Sequence, residues 1–184
     1  MVAIVSMRAS LDTNTEIDRI LPHYQFVERH WTIADAPIER VFSIVENVDL
    51  SDSRIAKALQ AIWRIPARFF LSKVPSRSMS VNDFIPLIRK SPRCLSRGLV
   101  SGAGQRTWSV ADFSEYQGPG FKLAWSYTLT EQGMGRTRID TETRVFCCDP
   151  KTKRWFTLYW AIIRPWSGLI RMDLLRIARK RAIA

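Results

Sequence analysis

From residue 121 to 130 the chain alternates. Phe121, Leu123, Trp125, Tyr127 and Leu129 take the odd positions; Lys122, Ala124, Ser126 and Thr128 take the even ones. Successive side chains of a strand point to opposite faces, so this spacing predicts a strand with one apolar and one wetter face. Gln132-Gly-Met-Gly135 has turn chemistry, and 136–147 alternates again. There Ile139, Thr141, Thr143 and Val145 share a face, and Asp140, Glu142 and Arg144 share the other, which predicts a hairpin. After Pro150 the period changes to that of a helix. Phe156, Tyr159, Trp160, Ile163, Ser167, Ile170, Leu174 and Ile177 fall on one side of a helix running to about residue 181. Pro165 lies inside it and predicts a kink, because proline removes a backbone donor and crowds the preceding turn.

The earlier chain is less regular. Residues 1–22 are polar and weakly patterned, and read as a mobile or loosely docked arm ahead of a single domain over 23–184. Residues 24–33 read as a strand, with Val27, Trp31 and Ile33 alternating against Glu28 and His30. Asp35-Ala-Pro37 reads as a helix start, with Asp35 capping and proline in the first turn. The helix then runs to about Val48, burying Ile38, Val41, Phe42 and Val45. A second short helix is expected over 54–63. Strands over 84–89 and 94–101 meet at Lys90-Ser-Pro-Arg93, and 108–120 reads as irregular. A strand, two short helices, an antiparallel sheet and one long C-terminal helix predict an α+β fold. In it the long helix lies across a curved antiparallel sheet.

Composition changes this picture little, but charge changes it more. The 184 residues are 46% hydrophobic and 24% charged, as in an ordinary globular domain, which excludes a disordered chain or a rod. The formal charge is +11. Two blocks hold the excess: residues 54–107 carry +10 and residues 151–184 carry +8. Such blocks serve as a solvated basic surface, or as a patch for anionic lipid, nucleic acid or an acidic partner. No groove-reading motif accompanies them, so nucleic acid is not the expected partner. The far side of the long helix adds Leu158, Ile162, Leu169 and Met172 beside Arg154, Arg176 and Arg179. That mixture fits a second subunit, another segment of the chain, or an anionic membrane surface.

Three cysteines, two of them adjacent, and the lack of a CxxC pair point to a reducing, cytoplasmic setting. The start of the chain lacks the charge order of a signal peptide, and no uncharged run is long enough to span a bilayer. With only His23 and His30 as imidazoles, no metal is expected, and no cofactor motif is present. No GxSxG, HExxH, phosphate-binding glycine loop or Cys–His pairing is visible, so no catalytic residue is assigned. His30 suits a structural hydrogen bonder at a strand end better than a general base.

Thr141-Glu-Thr-Arg-Val145, followed by Tyr159-Trp-Ala-Ile-Ile-Arg-Pro-Trp-Ser-Gly-Leu-Ile-Arg171, resembles the helix-grip fold of the START-like, or SRPBCC, superfamily. The likeness is to an uncharacterised bacterial branch. His30 and Asp35-Ala-Pro37 fit it too, and it covers about residues 24–182. It implies a cavity between sheet and helix lined by Trp125, Tyr127, Thr141, Thr143, Phe156, Tyr159, Ile163 and Trp166, with Arg97 and His30 as polar anchors. Apolar walls with a few polar groups suit a hydrophobic small molecule or lipid, bound without chemistry. A polyketide cyclase- or dehydratase-like enzyme using the same cavity is the first alternative. A peripheral membrane or partner-binding module working through the basic helix is the second.

Overall fold

The computed structural model describes residues 15–49, 52, 53, 55, 84–101 and 108–183. The second short helix expected over 54–63 lies outside the described residues, Ile55 apart. So does the start of the arm.

Five antiparallel strands make one sheet: β1 (Phe26–Ala34), β2 (Ile85–Lys90), β3 (Cys94–Val100), β4 (Phe121–Glu131) and β5 (Thr137–Cys147). They lie side by side in the order β1-β5-β4-β3-β2. The β4–β5 turn places Gly133, Met134 and Gly135 at positive φ, which two glycines adopt at little cost. Helix α1 (Glu16–Ile20) precedes the sheet, α2 (Ile38–Asn47) follows β1, and α3 (Val110–Glu115) precedes β4. The 34-residue α4 (Pro150–Ile183) closes the chain. This is the α+β helix-grip arrangement: a curved sheet gripping a long C-terminal helix.

Register fixes which side chains share a face. Tyr127 lies opposite Thr141 and Leu95, and Thr141 opposite His30. Trp125 lies opposite Thr143 and Arg97, and Thr143 opposite Glu28. Both rows belong to the inner face, because Leu95, Trp125, Tyr127 and Ile139 share a buried core with Leu174, Leu175, Ala178 and Ala182 of α4 and Val41, Phe42 and Val45 of α2. The outer face is covered as well. Ile17 and Leu21 from the α1 segment and Phe113 from α3 pack there with Leu87, Val100 and Ala124.

Three local expectations are corrected. Asp35 does not cap α2; Pro37 holds the cap position without a side-chain bond, and Asp35 instead faces Arg179 at 3.6 Å. The stretch 108–120 is not wholly irregular, since Ser109 and Asp112 close a capping box that starts α3. In β1 it is Glu28 and His30 that face the helix. Trp31 stays 58% exposed on the other side, with the Arg138 guanidinium 4.6 Å from its ring centre. A cation over an indole face stabilises an aromatic that hydrophobicity alone would bury.

Helix α4 runs through Pro165. Phe156, Gly168, Leu174, Leu175, Ala178 and Ala182 are its buried positions. Arg171, one turn before Leu174 and Leu175, shares their side of the helix.

Candidate functional site

The site is the inner face of β1, β5, β4 and β3 beneath the middle of α4. Its floor is aromatic. The Trp125 and Tyr127 rings lie 5.2 Å apart between centres, and Phe84 meets Trp125 edge-on at 6.2 Å. The indole Nε1–H of Trp125 donates to Thr141 Oγ1 at 2.9 Å, which satisfies a buried donor and fixes the ring. Burial pushes the Tyr127 hydroxyl up to about 12, with the charges of Arg171 and Arg97 opposing, so it stays protonated at neutral pH.

Polar groups from three elements meet this floor. From β1, Glu28 Oε1 contacts His30 Nε2 at 2.9 Å. From α4, Ser167 Oγ donates to Glu28 Oε2 at 2.7 Å. Burial raises the Glu28 pKa, but the bonds from His30 and Ser167 and the charge of Arg171 outweigh it and hold the carboxyl below its usual range. Also from α4, the Arg171 guanidinium stacks 4.2 Å from the Trp125 ring centre. From β3, Arg97 Nη2 donates to the Glu46 carbonyl of α2 at 2.8 Å. Burial pulls both guanidinium pKa values down.

Chemically this is a set of anchors more than a catalytic relay. Ser167 Oγ bonds the Glu28 carboxylate, whose other oxygen meets the His30 imidazole. Cys94 and Cys147 are buried free thiols, and burial pushes Cys147 up to about 11, far from thiolate character. No group of metal-ligating side chains occurs among the described residues. A shallow depression of about 270 Å³ lies apart from this site, lined by Pro37, Ile38, Glu39, Glu131, Gly133, Gly135 and Arg136.

The residues expected to line a cavity divide into three groups. Trp125, Tyr127, Thr141 and Thr143 come together, buried on the inner face, with Arg97 and His30 in the same two rows. Phe156 is buried in a separate cluster with Val145 and Cys147, against Phe26, Phe121 and Trp160, and Ile163 is half-buried. Tyr159, whose ring meets that of Phe156 at 5.4 Å, and Trp166 are 43% and 47% exposed. Sequence reasoning placed Ser167 on the buried side of the helix but missed Glu28 and Arg171 as inner-face groups. The one available signal was Gly168, a small residue where helix and strand must come close.

No protein-family model matches the chain, and no curated protein matches it. Among solved structures, a hypothetical protein of Helicobacter pylori aligns at 11% identity over 96% of this chain and 100% of its own, with a TM-score of 0.41. CalU16 of Micromonospora echinospora aligns at 18% identity over 85% of this chain and 83% of its own, with a TM-score of 0.33. The di-domain ARO/CYC protein BexL of the BE-7585A biosynthetic pathway aligns at 13% identity over 86% of this chain and 46% of its own, with a TM-score of 0.34.

Proposed function

We propose that the chain is a ligand-binding member of the START-like superfamily. In this reading a hydrophobic small molecule or lipid is held between the inner sheet face and α4. The observation that carries it is the composition of that face. A core built for stability alone would be apolar, because buried charges cost free energy unless paired and bonded. Here Glu28, Arg97 and Arg171 join Trp125, Tyr127 and Thr141 beneath the helix. Aromatic walls with few convergent polar groups are the composition of a small-molecule pocket. Native mass spectrometry of freshly purified protein tests the proposal. The expected result is a species heavier than the 21.3 kDa chain that loses an apolar adduct on activation. A bare chain that also takes up nothing from a mixture of apolar probes would count against it.

A second surface supports a further role at an anionic membrane. Trp155, Leu158, Ile162, Trp166, Leu169 and Met172 are exposed along one side of α4. Lys151 and Arg154 flank that stripe at one end, and Arg176 and Lys180 at the other. Apolar residues bordered by cations suit the interface of an anionic bilayer. No described helix is long and apolar enough to cross a membrane. Cosedimentation with phosphatidylserine vesicles should be strong at low salt and weaken as salt rises. Failure to sediment at low salt, or a dimer on light scattering with no vesicle binding, would remove this role.

A further inference from the structure

We propose that the ligand of the inner face is a monoanion, a carboxylate on an apolar body, and that Arg171 binds its carboxylate. This rests on the reading of the inner face as a binding pocket, and names the class of ligand that the pocket takes.

The first observation is an unmet donor. Arg171 Nη1 is sealed from solvent and has no hydrogen-bond partner among the described residues. An unpaired polar group inside a protein costs about 1–3 kcal/mol, and more when charged. Guanidinium groups accordingly find acceptors when buried. Arg171 is also held in place: its plane stacks on Trp125 at 4.2 Å, and Trp125 is itself fixed by Thr141. A positioned donor without an acceptor is complementary to an acceptor supplied from outside.

The second observation is that the carboxylate acting on Arg171, Glu28, already bonds two other groups, His30 at Oε1 and Ser167 at Oε2. The third is charge. Arg97 has Glu46 and Asp49 acting on it, whereas the carboxylate acting on Arg171 is Glu28, which His30 and Ser167 already engage.

The chemistry of the donor selects the ligand. A guanidinium presents a planar fork that matches a carboxylate in two parallel bonds, a match that an alcohol or ketone lacks. Trp125, Tyr127 and Phe84 pack together beside Arg171 and give this face its aromatic, apolar character.

Isothermal titration with 2-naphthoate and its neutral analogue 2-naphthalenemethanol tests this. The wild type, R171K and R171M are compared, with far-UV circular dichroism confirming that each is folded. The wild type should bind the acid more tightly than the alcohol by about tenfold or more. R171M should bind both equally. R171K keeps the charge but loses the fork, so it should keep only part of the preference, and it carries the test if R171M does not fold. Equal binding of acid and alcohol by the wild type, or an undiminished preference in the folded variant, would overturn the carboxylate assignment and leave the pocket standing. Binding of neither probe by the wild type would overturn both.

Discussion

A Cβ added at Gly168 would stand 3.0 Å from Glu28 Oε1. Helix α4 therefore lies close enough to β1 that a side chain at residue 168 would press on the Glu28 carboxylate. The carboxylate below cannot swing aside freely, since His30 and Ser167 hold both of its oxygens.

G168A tests that contact. Overpacking costs about 1–3 kcal/mol. The better helix propensity of alanine offsets up to about 1 kcal/mol of this. A net loss of about 1 kcal/mol is expected in urea denaturation, and G168A should cause no such loss when added to E28A. A more stable G168A would mean that Glu28 is not fixed.

Arg144 ties α1 to the sheet. It is 2% exposed, bonded to Asp18 at 2.6 Å, to Glu142 at 2.7 Å and to the Leu21 carbonyl at 3.1 Å. The ring of Tyr24 lies 4.6 Å from its guanidinium. R144M should lose about 2–3 kcal/mol, less than a fully buried pair because Asp18 is partly exposed. Hydrogen exchange over residues 16–21 should rise first. Unchanged protection there would show that Ile17, Leu21 and the Glu16–Lys90 pair hold α1 without Arg144.

Thr141 is expected to matter through its hydroxyl. T141V keeps the shape but leaves the Trp125 indole N–H without its acceptor, at a cost of about 1–3 kcal/mol. T141S keeps the oxygen and should cost clearly less. Thermal unfolding of the two variants distinguishes them; equal losses would assign the role of Thr141 to its methyl group.

Asp149 sets an acid limit. The backbone N–H of Gly120, then the hydroxyl and N–H of Thr152 at the start of α4, lower its pKa from 3.8 to about 2. A depressed folded pKa stabilises above the unfolded value and loses that contribution as pH falls through the folded one. The Asp149 contribution is thus whole above about pH 4 and disappears toward pH 2. D149N should flatten the stability profile in that window and leave its slope near neutral pH unchanged.

Much of the fold was legible because period is a property of the sequence. The alternation around Trp125 and Ile139 marked β4 and β5, and the change of period after Pro150 marked α4. Where a cation competes with burial, the pattern inverts: Trp31 reads as core but lies under Arg138, and so Glu28 reads as outward. Helix α3 is six residues long and buries only Phe113, too short for a period to show. The inner aromatic and threonine rows were legible for the same reason as β4 and β5. Arg171 was not, because a lone arginine in a basic helix reads as solvated. Its neighbour across the sheet, Trp125, is 46 positions earlier in the chain.

The most direct test of the inner face as the binding site is an isotope-filtered NOE experiment on labelled protein with bound 2-naphthoate. Occupancy beneath α4 requires contacts from the naphthalene protons to the methyl groups of Leu95, Thr141 and Thr143. Contacts confined to the outer-face Thr128 and Val100, or to Leu158 and Ile162 on the exposed side of α4, would contradict it.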